Sequence, residues 1–186
     1  MAELIIITGG TCSGKTSVVT ELARRGLRTL PEAAMEVITE LTAQHGLAAQ
    51  GDWRRANPQE FQRRITLRQH ARETEARQAP AGRIFCDRGA LDGRAYCWLA
   101  GVDWPDDLRE LVAPVRYDHV FVCATLTTFD PRPHSGRLDS REDSLLVGQY
   151  LQEIYAPRAQ RLTLIPEAPV AARADAILAA LNQPPR

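Results

Sequence analysis

The chain has 186 residues, so we expect one domain with its own hydrophobic core. Its 23 basic residues balance 23 acidic ones, which argues against a nucleic-acid partner or attraction to an anionic membrane. No apolar run approaches the ~20 residues that a membrane-spanning helix needs, so we expect no membrane insertion. The four cysteines form no Cys-x-x-Cys pair, which indicates a reduced, cytoplasmic compartment.

Short apolar strands alternate with helical patterns along the chain. In chain order, the predicted elements are a strand at 3–8, a helix at 15–26, a strand at 28–30, a helix at 31–44, an irregular loop at 46–57, a helix at about 58–79, a strand at 83–87, helices at 90–100 and 105–112, a strand at 118–125, a helix at 141–156, a strand at 161–165 and a helix at 168–182. This alternation predicts a three-layer α/β fold with a mostly parallel sheet. We expect one domain over residues 1–183, with 184–186 as a tail.

The stretch TGGTCSGKTS at residues 8–17 contains the only lysine of the chain, Lys15. Gly9, Gly14, Lys15 and Thr16 have the spacing of a phosphate-binding P-loop between a predicted strand and a predicted helix. Glycines let backbone N–H groups approach a phosphate, the ammonium can reach its oxygens, and the Thr16 hydroxyl can bind Mg²⁺. The bulkier guanidinium of arginine cannot easily replace this lysine. The stretch therefore predicts binding of a nucleoside triphosphate.

Several classes of P-loop protein do not fit the rest of the sequence. The guanine-reading Asn-Lys-x-Asp motif cannot occur without a second lysine, and the chain has no Leu-Ser-Gly-Gly-Gln stretch of the ABC type. It is also short for a ring-forming AAA+ motor with a helical lid domain. A small P-loop kinase and a nucleotide-gated binding module remain.

Three charged residues are predicted at the carboxyl edge of the sheet, beside the P-loop. Glu32 follows the second predicted strand, while Asp87 ends the third and Arg88 follows it. Ligands bind at this edge in doubly wound sheets, where one carboxylate can orient an acceptor hydroxyl and another can hold Mg²⁺. We assign Glu32 and Asp87 to catalysis, Asp87 with Thr16 to the metal, and Glu32 with Arg88 to the substrate. A turn-forming Asp87, a first-turn helix acid at Glu32 and a surface arginine at Arg88 are the alternatives.

Two further segments carry candidate ligands. Residues 127–142 place Arg132, Arg137 and Arg141 between a strand and a helix, which predicts a kinase lid whose arginines neutralise the transferring phosphoryl group. A solvated loop is the alternative there. The helix at 58–79 is expected to be a largely solvated charged helix, in which Gln69 is a candidate for facing the acceptor.

The stretches ITGGTCSGKTS, LPEAAMEVI, IFCDRGALDGRAY, YDHVFV and IPEAPVAARADAIL together resemble AAA-type P-loop ATP-binding domains similar to the ribosylnicotinamide kinase domain of bacterial NAD-regulatory proteins. The likeness spans nearly the whole chain and implies a three-layer P-loop NTPase fold with five strands. It implies Mg²⁺ and ATP, a base at Glu32, a lid arginine at Arg137 and adenine near residues 165–170. The resemblance implies phosphate ligands at Gly10, Thr11, Cys12, Ser13, Gly14, Lys15, Thr16 and Ser17 and a nucleotide ligand at Arg137. The predicted lid adds Arg141 as a second nucleotide-binding arginine.

Two functional hypotheses follow. The first is an ATP-dependent phosphotransferase that moves the γ-phosphate of Mg-ATP to a hydroxyl of a small or nucleoside-like metabolite. The second is a binding module in which nucleotide occupancy switches a surface for a protein or lipid partner. The acceptor, the choice between ATP and GTP and the oligomeric state stay open at this point.

Overall fold

The structure is a computed structural model that describes residues 1–130 and 139–182. Its centre is a sheet in the order β2-β3-β1-β4-β5, and all four strand pairings are parallel. The strands are β1 Glu3–Thr8, β2 Arg28–Leu30, β3 Arg83–Asp87, β4 Tyr117–Cys123 and β5 Ala159–Ile165. This confirms the predicted α/β fold with a parallel five-stranded sheet. The three central strands β1, β3 and β4 are mostly buried, as expected for parallel strands covered on both faces, whereas the edge strands β2 and β5 are more polar and more exposed.

Helices cover both faces of the sheet. The described helices are α1 Lys15–Arg24, α2 Ala34–His45, α3 Leu47–Ala56, α4 Pro58–Arg77, α5 Asp92–Leu99, α6 Asp106–Val112, α7 Arg141–Tyr155 and α8 Val170–Leu181. Alternate side chains of β1 point to opposite faces. Ile5 belongs to a buried cluster with residues of α1 and α8, whereas Ile6 belongs to one with residues of α5 and α7. The layers are therefore α, β and α, as predicted. No described helix has the combination of length and apolar content that crossing a bilayer requires.

Two predictions for the chain between β2 and α4 were wrong. Residues 46–57 were expected to be an irregular loop, but Leu47–Ala56 form α3, which follows a sharp change of direction at Gly46 (φ 83°). The polar sequence hides this helix, whose buried side includes Gln50 and Arg54 and which packs against α2. In addition, α2 begins at Ala34 and not at residue 31, which leaves Glu32 in the connection after β2.

The carboxyl ends of the strands meet at one edge of the sheet, where the P-loop and the segments after β2, β3 and β4 lie. Arg141, the first residue of α7, is exposed. Half of the predicted lid, residues 131–138 with Arg132 and Arg137, lies outside the described residues, as does the predicted tail at 184–186. The candidate site at this edge is therefore built from the described P-loop, cavity and first turn of α7.

Candidate functional site

The P-loop between β1 and α1 is packed tightly against the first turn of α7. A Cβ atom added to Gly10 would lie 2.2 Å from the carbonyl oxygen of Ser144. The Ser144 hydroxyl donates a hydrogen bond of 2.6 Å to the Thr11 carbonyl. Gly14 caps α1 in the left-handed region (φ 72°), which favours glycine. Glycine at these positions is thus required by close packing and by the backbone turn.

Lys15 lies in the first turn of α1 and is only 2% exposed. Its ammonium donates to the Gly10 carbonyl at 3.4 Å, so the side chain curls back over the loop that precedes it. Thr16 and Ser17 follow with exposed side chains at the helix N-terminus. A helix N-terminus with a lysine folded over it is a favourable site for an anion such as a phosphate.

Asp87 ends β3 beside Ile7 of β1 and is 2% exposed. Burial raises the pKa of its carboxyl group, while the nearby charge of Lys15 and a hydrogen bond with Thr16 lower it. Among the described residues, no group donates a hydrogen bond to its Oδ1 atom. A buried carboxylate oxygen without a donor, next to a hydroxyl, fits Mg²⁺ bound by one or two protein ligands together with phosphates and water. Within the described ranges no cluster of three or more acidic, His or Cys side chains forms a metal cage.

Glu32 and Arg88 are brought together, as the sequence predicted for two substrate ligands. Arg88 Nε donates to the Glu32 carboxylate at 2.9 Å, and Nη1 donates to Asp92 at 3.0 Å and to the Gly9 carbonyl at 3.3 Å. One buried guanidinium thus joins the connection after β2, the start of α5 and the P-loop. Arg88 itself has a left-handed backbone (φ 73°), which is unusual for a residue other than glycine.

Asp92 completes this group and was not singled out in the sequence. Its carboxylate accepts hydrogen bonds from the Thr8 hydroxyl (2.6 Å), the Tyr155 hydroxyl (2.6 Å) and Arg88. The i, i+4 spacing of Arg88 and Asp92 in DRGALD is the signal that could have revealed the pair. Because Asp92 is held by strands and helices of the core, it fixes the position of Arg88.

Gln69 does not line the cavity, although the sequence made it a candidate substrate ligand. Its amide donates to the Arg88 carbonyl at 3.2 Å and to the Glu73 carboxylate at 3.1 Å, and the side chain is buried. Glu73 also accepts from the Tyr117 hydroxyl (2.7 Å) and the Ala90 N–H (2.8 Å). Through these contacts α4 holds the backbone of residues 88–90, the segment that carries Arg88.

A cavity of about 510 Å³ opens beside the P-loop, between α2, α3, α4 and α5. Its polar wall includes Glu32, Arg88 and Asp92. Apolar and aromatic side chains form much of the remaining lining, among them Met35, Ile38, Phe61, Ile65, Tyr96 and Leu99. The volume and the mainly apolar lining with a few convergent polar groups are typical of small-molecule sites. Arg54 of α3 also lines it, and sequence reasoning missed that residue because the helix itself was missed.

The start of α7 borders the same edge. Ser140 caps the helix and forms a reciprocal capping box with Asp143, which fixes the first turn that holds Arg141. Asp139, just before the cap, lines the cavity and accepts a hydrogen bond from the Thr11 hydroxyl of the P-loop. Arg141 is therefore placed within one helical turn of Ser144, which contacts the loop, whereas Arg137 lies outside the described residues.

Comparisons with known proteins identify the family. A family model described as an AAA domain matches residues 4–173. The chain belongs to the AAA domain family. A search of curated protein sequences finds no match for this AAA domain.

Solved structures of P-loop nucleoside kinases share the fold of this AAA domain. Deoxyadenosine kinase from M. mycoides with bound dATP superposes with a TM-score of 0.68 at 15% identity, over 97% of this chain and 100% of that one. With the products dCMP and a flexible dCDP the score is 0.64 at 17% identity, over 96% and 98%. With dCTP it is 0.63 at 17% identity, over 96% and 98%. The narrower resemblance to ribosylnicotinamide kinase is not confirmed by these matches.

Proposed function

We propose that this AAA domain is a kinase that transfers the γ-phosphate of ATP, with Mg²⁺, to a hydroxyl of a small nucleoside-like metabolite. One observation carries the proposal: Arg88 hydrogen-bonds both to the P-loop at Gly9 and to Glu32, and both charged side chains line the cavity. The phosphate cradle and the cavity thus share one wall. A molecule in the cavity would present its hydroxyl beside the terminal phosphate, and positioning of this kind is the main contribution to phosphoryl transfer.

Each residue has a role that follows from its surroundings. Lys15 and the N–H groups of the P-loop neutralise the phosphates, and Glu32 orients the acceptor hydroxyl and takes its proton. Arg88 holds the Glu32 carboxylate in place through their 2.9 Å hydrogen bond. Thr16 and Asp87 would hold Mg²⁺, which supplies charge neutralisation on the phosphate oxygens. Arg137 and Arg141 remain our predicted arginine ligands of the transferring phosphoryl group.

The chemistry of the cavity supports a flat, partly apolar acceptor. Phe61 and Tyr96 offer aromatic surface, and Gln62 and Arg54 offer hydrogen-bond donors on the wall formed by α3 and α4. The structures with the same fold are those of a kinase named for a deoxynucleoside. We therefore infer that nucleosides are the first class of acceptor to test. None of the four cysteines, all within the described residues, forms a disulfide, which fits action in a reducing, cytoplasmic compartment.

A screen for ADP release over nucleosides, deoxynucleosides, sugars and amino alcohols tests the proposal, with mass spectrometry of the product. We expect at least one nucleoside to raise ADP release above the rate in water alone and to gain a phosphate. Glu32→Gln should then lower kcat by ~10²- to 10⁴-fold, the usual loss of a general base, without weakening ATP binding.

Glu36→Gln is the matched control, because Glu36 lies on exposed surface of α2 and pairs with Arg72 away from the cavity. If no acceptor raises ADP release, the kinase proposal is wrong. Biological activity that survives both Glu32→Gln and Asp87→Asn would instead favour a nucleotide-gated binding module.

A further inference from the structure

Arg173 is a fully buried arginine in the first half of α8. Its side chain is 2% exposed and is one of the largest side chains in the interior. It shares a helix face with Ile177 and Leu181, four and eight residues later, which are buried in the core beside α1. A guanidinium on the apolar face of an alanine-rich helix is costly unless it has a task there.

The guanidinium contacts the backbone of the P-loop at Ser13 and Gly14. Nη1 donates a hydrogen bond of 2.8 Å to the Ser13 carbonyl, and it would be 2.8 Å from a Cβ atom added to Gly14. Within residues 1–130 and 139–182, Nε and Nη2 have no hydrogen-bond partner, and no carboxylate forms a salt bridge with Arg173. The described protein therefore holds a buried positive charge without a balancing acid.

The bonded carbonyl belongs to the peptide between Ser13 and Gly14. In a trans peptide the C=O and N–H groups point in opposite directions, and the described chain contains no cis peptide. Arg173 therefore contacts the loop on the side to which the Ser13 carbonyl points. The Gly14 N–H points to the opposite side, where the amides of a P-loop bind phosphate. A donor on the carbonyl polarises the peptide and strengthens hydrogen bonds from its N–H group.

We propose that Arg173 is a positioning residue of the phosphate site. It orients and polarises the Ser13–Gly14 peptide, and its buried charge is balanced by the phosphates of a bound nucleotide. This inference rests on the proposed binding of a nucleoside triphosphate at the P-loop. It assigns to α8 a direct part in the strength of phosphate binding, in addition to its packing against α1 and β5.

Arg173→Met keeps the approximate length of the side chain and removes its charge. The proposal predicts that this variant binds nucleotide more weakly but unfolds at nearly the same temperature as wild type. A hydrogen bond from a charged donor contributes about 1.5–3 kcal/mol, so the Kd for ATP should rise about 10- to 100-fold in calorimetry. Inorganic triphosphate, which lacks the base, should lose affinity by a similar factor. The melting temperature of the nucleotide-free protein should stay within a few degrees of wild type, because the substitution also removes an unbalanced buried charge.

Arg25→Met is the matched control. Arg25 also bridges α1 and α8, through Glu21 and Asp175, but on the outer surface. Its substitution should leave both dissociation constants unchanged. Arg173→Lys retains the charge with a single compact donor group, and its affinity for triphosphate should fall between those of wild type and Arg173→Met.

The outcomes separate this inference from the function on which it rests. If wild type binds neither ATP nor GTP, nucleotide binding itself is wrong. If wild type binds ATP and Arg173→Met binds both probes equally well, Arg173 has no part in phosphate binding. A large loss of melting temperature without nucleotide would assign Arg173 to folding alone, and weaker ATP binding with unchanged triphosphate binding would assign it to the base or ribose. The last three of these four results overturn the inference, and the first overturns the nucleotide binding on which it rests.

Discussion

Replacing Glu73 with Gln should change how the stability of the protein depends on pH. Glu73 lies in α4, is 3% exposed and accepts hydrogen bonds from Tyr117, Gln69 and Ala90. Burial raises the pKa of Glu73 to about 7, although the three hydrogen bonds act in the opposite direction. Gln keeps the shape and most of the hydrogen bonds but has no proton to lose, so it isolates the effect of the charge.

The direction of the change in stability with pH follows from whether the folded or the unfolded protein keeps the Glu73 proton. The carboxyl group has an ordinary pKa of 4.5, so between pH 4.5 and about 7 the folded protein keeps a proton that the unfolded chain has released. The contribution of Glu73 to the free energy of unfolding is therefore fully present below pH 4.5 and is lost as the pH rises to about 7. At about 1.4 kcal/mol per pH unit, the whole window corresponds to about 3 kcal/mol.

Urea denaturation of both proteins at pH 5 and pH 8, followed by tryptophan fluorescence, measures this effect. The stability of Glu73→Gln relative to wild type should be roughly 2–3 kcal/mol more favourable at pH 8 than at pH 5, because most of the window lies between these values. The measurement uses the difference in free energy of unfolding between the two proteins, because His119 is present in both and changes their stability with pH in the opposite direction to Glu73. Burial and then the charges of Arg161 and Arg83 lower the pKa of His119 to about 4, so its contribution is lost as the pH falls below 6.5.

Glu75→Gln is the control for this experiment, since Glu75 lies two residues further along α4 with an exposed side chain. It should alter the free energy of unfolding by the same amount at both pH values. A pH-independent difference between Glu73→Gln and wild type would refute the reasoning, since the buried carboxylate would then carry no penalty at neutral pH.

Three further substitutions, one of them with a control in α7, test the proposed phosphate site. Gly10→Ala places a Cβ atom 2.2 Å from the Ser144 carbonyl, so it should cost about 1–3 kcal/mol and lower the melting temperature by roughly 2–12 °C. Gly148→Ala in α7, where a Cβ meets nothing within 4 Å, should instead stabilise by about 0.5–1 kcal/mol; equal melting temperatures for the two variants would contradict the packing argument. Lys15→Ala should abolish ATP turnover in the ADP-release assay, and retained turnover would remove Lys15 from the mechanism. Asp87→Asn should weaken calorimetric ATP binding about 10-fold or more with Mg²⁺ but not with EDTA, and an equal loss in both would argue against a metal role.

Local sequence signals predicted the sheet and the P-loop because each depends on neighbouring residues. The apolar runs at 3–8, 83–87 and 118–125 are strands at nearly the predicted residues, since a buried parallel strand needs apolar side chains on both faces. The spacing of Gly14, Lys15 and Thr16 likewise placed the loop between a strand and a helix, as observed.

The features that were missed depend on contacts between distant segments. The helix α3 has a polar sequence, and its buried Arg54 and Gln50 become understandable only when α2 is packed beside it. Gln69 was a candidate for facing the acceptor. In the structure its amide donates to the Arg88 carbonyl in the segment after β3, a contact that the periodicity of α4 could not reveal. Arg173 was detectable in principle, because its spacing to Ile177 puts it on the apolar face of α8.

Calorimetric titration of the folded protein with ATP and GTP, with Mg²⁺ present, tests the central claim most directly. We predict saturable binding of at least one nucleotide by wild type and its loss in Lys15→Ala, because in the proposed site the ammonium of Lys15 and the amides at the start of α1 bind the phosphates. If wild type binds neither nucleotide, or if Lys15→Ala binds as tightly as wild type, the phosphate site at the P-loop is contradicted.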